Sequence, residues 1–154
     1  MTSFVYRTLQ IVLILLIMAT LAHAFYQSSL PPVKSAEVSS KVGEIIEEII
    51  PPETKPGEFV QKNIRKLAHF TEFFLLGLFS ALYVVIYFRR RLGFFFLLPF
   101  GMISALLDET VQIFSKRGPS VKDIWIDVLG YSSAALTLVF VFLLALIIKR
   151  VRDR

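Results

Sequence analysis

The sequence predicts an all-α polytopic membrane bundle: four transmembrane helices and one short amphipathic helix outside the bilayer. Three observations carry that class. The 154-residue chain is 55% hydrophobic with a mean hydropathy of +0.66, too apolar for a soluble domain of this size. Four stretches, 8–33, 73–88, 92–107 and 128–148, contain no charged residue, and a chain this small cannot hide all four from water. Basic residues gather at the ends of those runs, where they anchor helices at a membrane surface. The net charge of +5 would raise nucleic acid as a partner for a soluble protein, but basic residues so placed belong to lipid, and no nucleic-acid partner is expected. The absence of cysteine excludes disulfides, thiolate zinc sites and cysteine nucleophiles together. One membrane domain over 1–154 accounts for the chain.

The first span is expected at about 8–27, around the run IVLILLIMATLAHAF. Arg7 before it and Ala22-His23-Ala24 near its end resemble a cleavable secretory signal, which would leave three spans. The apolar run continues past that site through Phe25, which suits a retained span better. His23 has no charged neighbour in sequence and reads as an interfacial aromatic group. An external segment follows at 28–62, with Pro31-Pro32, Pro51-Pro52 and Pro56 as breakers. Between them Val38, Val42, Ile45, Ile46, Ile49 and Ile50 recur at spacings of three and four, with Lys41, Glu44, Glu47 and Glu48 on the other face. That pattern is an amphipathic helix, lying in the interface or covering the helix ends as a lid.

The second and third charge-free runs are short: roughly 16 residues cover about 24 Å of a hydrocarbon core about 30 Å thick. Arg89, Arg90 and Arg91 hold the connection between them at one interface. The missing length therefore comes from 66–72 and 108–112, giving spans of about 67–88 and 92–112. The fourth span is expected at 124–148, opening after Pro119 with Ser120 and Asp123 as a capping box. Arg7, Arg89 to Arg91, and Lys149, Arg150, Arg152 and Arg154 lie densely on one side with Asp153 as their only acid. The basic residues of the other side are dispersed among acids. The positive-inside rule then puts both termini in the cytoplasm.

With this topology every ionisable group at membrane depth falls at the outer end of its helix. Arg65, His69 and Glu72 lie within about 60° of one another on a helical wheel, with Lys66 at the margin. Ser104, Asp108, Glu109, Gln112 and Lys116 form a second stripe, and Asp123, Asp127, Gly130 and Ala134 a third. A charge near the bilayer centre costs at least about 2.5 kcal/mol, so the three stripes are expected to face one another. Gly130 and Ala134 form a small-xxx-small pair that lets a backbone approach.

Candidate catalytic residues are His69, Glu72, Asp108 and Glu109, since imidazole and paired carboxylates are the groups that supply an acid and a base. Candidate binding residues are Lys66, Gln112, Arg117, Asp123 and Asp127, with Arg117 able to clamp a phosphate or carboxylate bidentately. Each also has a structural reading, as an interfacial snorkeller, a cap or a neutralising counter-ion. His69-x-x-Glu72 with Asp108 or Glu109 would suit a divalent metal, but the spacing is permissive, so no metal ligand and no cofactor is assigned. Ser104 is the one hydroxyl suited to a triad, and the sequence has no nucleophile elbow or Gly-rich phosphate loop.

The runs KLAHFTEFFLLG, LLDETVQIF and, after Arg117, VKDIWIDVLG resemble the VanZ-like membrane proteins in order and spacing over 66–134. That resemblance implies a small multi-helix protein of the bacterial cytoplasmic membrane. The family's name-giving member is associated with resistance to the glycopeptide antibiotic teicoplanin. Teicoplanin carries a fatty acyl chain and its target is a lipid-linked cell-wall precursor. The resemblance therefore implies a cell-envelope factor whose outward polar pocket engages a lipidated or lipid-linked molecule. Two alternatives stand beside it: an intramembrane hydrolase or transferase on a lipid-linked phosphate or sugar, with His69 and Glu109 as base and acid, and a structural partner of envelope machinery.

Overall fold

A computed structural model describes residues 3–87, 92–118 and 120–153. Arg89, Arg90, Arg91, Pro119 and Arg154, which entered the expected orientation and cap, lie outside the described residues. The described chain is five helices: α1 (Ser3–Ser29), α2 (Pro32–Glu47), α3 (Lys55–Tyr87), α4 (Leu92–Phe114) and α5 (Val121–Arg152). Four are long and apolar enough to cross a membrane, over Phe4–Ser29, Lys55–Tyr87, Phe95–Phe114 and Val121–Arg152. The all-helical class and the four spans stand as the sequence predicts.

The contacts fix how the helices run. Tyr6 near the start of α1 meets Ile86 near the end of α3, so these two are antiparallel. Ser28 at the end of α1 meets Asp108 towards the end of α4, so α1 and α4 are parallel. α3 and α5 run side by side, and theirs is the most extensive contact in the molecule. That closeness has a local cause. A methyl group on Gly77 would collide with the Tyr131 carbonyl oxygen, and one on Gly130 with the Phe70 carbonyl oxygen. Only hydrogen at both positions lets the two backbones meet, the approach that Gly130 and Ala134 foretell. Phe73, Leu76, Ala81, Ala105, Tyr131 and Ala135 fill the core around this crossing.

The outside of the bundle is apolar. Ile11, Leu15 and Met18 of α1, Phe95 and Phe96 of α4, and Phe140 and Ile147 of α5 are all exposed, a surface that lipid rather than water suits.

Three local expectations change. Pro56 does not break the segment before the second span; it lies in the first turn of α3, which begins at Lys55. There Thr54 Oγ1 accepts from the Gly57 amide at 3.2 Å, so a threonine cap and an early proline start the helix. The Ser120–Asp123 capping box does not form. Ser120 is the N-cap of α5 without a side-chain cap bond, and its amide donates instead to Glu109 Oε1. His23 does have a charged neighbour, since Glu72 Oε1 stands 3.4 Å from its Nε2.

α2 is the amphipathic helix read from the sequence. It packs on α3, where Gln61 Nε2 donates to the Gly43 carbonyl at 3.1 Å. Lys41 and Glu37 pair one turn apart on its free face at 2.9 Å.

Candidate functional site

The polar stripes meet at one end of the bundle, where the end of α1, the first half of α3, the end of α4 and the beginning of α5 come together. α3 contributes Arg65 and His69, α4 Asp108, Glu109 and Gln112, α5 Asp127, and the α4–α5 turn Arg117. The turn is made by Lys116, whose φ of 60° reverses the chain in the left-handed region. His69, Asp108, Glu109, Gln112, Arg117 and Asp127 are all buried, with Asp108, Gln112 and Asp127 at 0% exposure.

Hydrogen bonds orient part of this cluster. Ser28 Oγ donates to Asp108 Oδ2 at 2.7 Å, and Gln112 Nε2 donates to the same oxygen at 3.1 Å. Arg65 Nη2 donates to Gln112 Oε1 at 2.9 Å, so a chain of donors runs from the α3 guanidinium to the α4 carboxylate. Arg117 Nη1 donates to the Gln27 carbonyl at 3.0 Å, which ties the turn to the end of α1. Ser115 Oγ donates to the Ser28 carbonyl at 2.8 Å and reinforces the same seam.

The centre is different. His69 Nδ1 lies 3.7 Å from Asp108 Oδ2 and 3.6 Å from Asp127 Oδ1, beyond hydrogen-bond length. His69 Nδ1, Asp108 Oδ1 and both carboxylate oxygens of Asp127 are buried with no hydrogen-bond partner among the described residues. Buried polar atoms are nearly always paired, and here two orphans, His69 Nδ1 and Asp127 Oδ1, stand 3.6 Å apart.

Beside this centre lies a cleft of about 210 Å³ lined by Arg65, His69, Glu72 and Arg117 on one side and by Val38 and Val42 of α2 on another. α2 thus forms a wall of the cleft, close to the lid its sequence suggests. Arg117 carries the electrostatic signature of the cleft: burial, and then the neighbouring Arg65 guanidinium, push its pKa below the usual arginine value. Two guanidiniums set together in a low-dielectric wall favour an anion between them. His69 also lines a second cleft of about 180 Å³, with Lys62, Lys66 and Asp123.

The sequence-derived candidates therefore separate. His69, Asp108 and Asp127 come together, with Gln112 behind Asp108. Glu72 stands apart from them on the α1 side, against His23. Glu109 is turned to the Ser120 amide, away from the acid–base partnership with His69 that the sequence suggests. Lys66 and Asp123 border the second cleft only. Ser28 and Gln27 are contributors that sequence reasoning missed; they are the uncharged polar residues closing the first apolar run, and that position was their one signal. The hydroxyl on Asp108 is that of Ser28 rather than that of Ser104, which is buried.

No curated protein and no solved structure matches the chain. One family model does, the one described as VanZ/LLP1, and it covers residues 11–144, from within α1 to the second half of α5. With the match spanning nearly every element that builds the bundle and its polar end, the chain belongs to the VanZ/LLP1 family.

Proposed function

We propose that this protein is a cell-envelope factor of the bacterial cytoplasmic membrane. Both termini lie in the cytoplasm, and the cleft faces outward to engage the anionic head of a lipidated or lipid-linked molecule. Its effect is lowered susceptibility to teicoplanin. The observation that carries the reading is the placement of Arg65 and Arg117 on one cleft that Val38 and Val42 of α2 also line, with Ser35 and Ser39. Paired guanidiniums suit a phosphate or carboxylate, and Val38 and Val42 suit the first part of an attached chain. Membership of the VanZ/LLP1 family supports teicoplanin as the drug to test.

A second reading has its own support. The His69–Asp108–Asp127 centre adjoins the cleft, which favours an intramembrane hydrolase or transferase acting on a lipid-linked phosphate over a binder alone. Turnover of such a substrate by the purified protein separates the two.

The test compares teicoplanin and vancomycin susceptibility in a Gram-positive host carrying the wild type or Arg117→Gln at matched membrane abundance. The wild type is expected to protect selectively against teicoplanin, and Arg117→Gln to lose that protection. Unchanged susceptibility with the wild type would contradict the proposal.

A further inference from the structure

The geometry points to a divalent-cation site: we propose that His69, Asp108 and Asp127 together bind one first-row transition ion, Zn²⁺ or Mn²⁺, beside the cleft that His69 lines. This goes beyond the binding of an envelope molecule and stands without it.

One ligand atom of each of the three residues lies within 4.8 Å of the other two, and His69 Nδ1 is 3.6 and 3.7 Å from the carboxylate oxygens. Two donors each about 2.1 Å from a shared ion, at the tetrahedral angle, stand about 3.4 Å apart. The two separations from His69, 3.6 and 3.7 Å, come within a few tenths of an ångström of that value, so a small inward shift of the carboxylates closes the site on an ion. A protonated imidazole bridging the two carboxylates would close to about 2.7–2.9 Å instead.

Orphaned atoms make the second, independent argument. His69 Nδ1, Asp108 Oδ1 and both Asp127 oxygens are buried and unpartnered among the described residues, and His69 Nδ1 and Asp127 Oδ1 stand 3.6 Å apart. Two carboxyl groups with 0% exposure set close together cannot both ionise cheaply in an apolar surrounding, and a doubly charged cation removes that penalty. Asp108 is also held as a ligand is held, by Ser28 and Gln112 on one oxygen, the outer-shell support that fixes a metal-binding carboxylate.

Donor chemistry narrows the ion. One imidazole and two carboxylates are a nitrogen–oxygen set that suits Zn²⁺ or Mn²⁺ better than Cu(I), which prefers sulfur, or Ca²⁺, which prefers an all-oxygen cage. The site differs from the His69–Glu72 pairing that sequence spacing suggests: Asp127 from α5 takes the place of Glu72. Three protein ligands leave a coordination position open, as in sites that act on a ligand rather than only brace a fold. His69 is the ligand that borders both clefts, so the open position lies on that side.

The experiment is metal titration of the purified full-length protein in detergent after stripping with chelator, using ZnCl₂ and MnCl₂ separately, read by calorimetry and elemental analysis. The wild type is expected to take up a single equivalent of Zn²⁺ or Mn²⁺ and to melt at a higher temperature when loaded. Asp127→Asn and His69→Gln should each bind roughly 100-fold more weakly or worse, while Glu44→Gln on α2 binds as the wild type does. With Mn²⁺, the wild type should show nitrogen hyperfine coupling that His69→Gln abolishes. Where Asp127→Asn does not fold, His69→Gln and the wild-type stoichiometry decide. Failure of the wild type to bind either ion at about 1 mM, or binding unaffected by both substitutions, would overturn the proposal. Drug susceptibility is not read here, so loss of this proposal leaves that of the cleft standing.

Discussion

The two ends of this bundle treat polar side chains in opposite ways. At the end formed by the start of α1 and the end of α3, Tyr6 hydroxyl donates to the Ile86 carbonyl at 2.7 Å and Tyr87 hydroxyl donates to the Tyr6 carbonyl at 2.7 Å. Their rings meet edge to face at 4.6 Å, and Gln10 Nε2 donates to Tyr83 hydroxyl at 3.3 Å. Neutral donors find acceptors across the helix seam, as polar groups that merely hold apolar helices together should. At the other end His69, Asp108 and Asp127 gather with unpartnered buried atoms on each, and His69 Nδ1 stands 3.6 Å from Asp127 Oδ1 without a hydrogen bond. The same chain that satisfies one end leaves orphaned atoms at the other, and the ligand proposed for that end rests on this difference.

Substitutions can break or sharpen this contrast. The largest effect belongs to the crossing on which both ends depend. Gly130→Val would push into the Phe70 carbonyl and should cost about 3 kcal/mol or more through overpacking and backbone shift. Folded protein in the membrane, measured by size-exclusion profile, should fall sharply.

A smaller loss should follow at the edge of the open end. Glu109→Ala strips the acceptor from the half-buried Ser120 amide and should destabilise by about 1 kcal/mol. Glu109→Gln keeps an acceptor and should melt close to the wild type. A large loss in both variants would make the Glu109 charge itself structural.

At the satisfied end, Tyr87→Phe removes one exposed hydrogen bond and should lower the melting temperature only slightly, with teicoplanin susceptibility unchanged at matched abundance. A change in susceptibility there would erase the functional distinction between the ends. Smallest of all, Glu37→Gln on the free face of α2 breaks an exposed pair with Lys41. It should leave melting unaltered, because water screens such pairs.

The difference between the ends was partly legible in the sequence. Charge-free runs reveal four spans because lipid permits little else, and a 100° repeat sorts His69, Asp108 and Asp127 onto faces that must meet. That logic fails where azimuth alone is insufficient. Glu72 shares a helix face with His69, yet the placement of α1 gives it His23 as a neighbour, and no wheel of α3 contains that fact. Ser28 and Gln27 were invisible for the opposite reason. Uncharged polar residues at the end of an apolar run carry no periodic signal, and only the packing of α1 on α4 brings them to Asp108 and Arg117. The Ser120–Asp123 motif had the right local spelling, but Glu109, eleven residues earlier, reaches the same amide from a neighbouring helix. Pro56 reads as a breaker because proline ends helices more conspicuously than it starts them.

The central claim, that the open end is built for a ligand rather than for stability, is tested most directly by melting metal-stripped wild type and Asp127→Asn side by side in detergent. Asparagine keeps the shape of Asp127 and removes a buried carboxylate that has no hydrogen-bond partner among the described residues. The expected melting temperature is equal to or above that of the wild type, because the carboxyl replaced makes no hydrogen bond among the described residues and nothing that holds the bundle is lost. A fall of several degrees, about the loss expected from breaking a stabilising buried network, would contradict it and make the cluster a lock on the bundle.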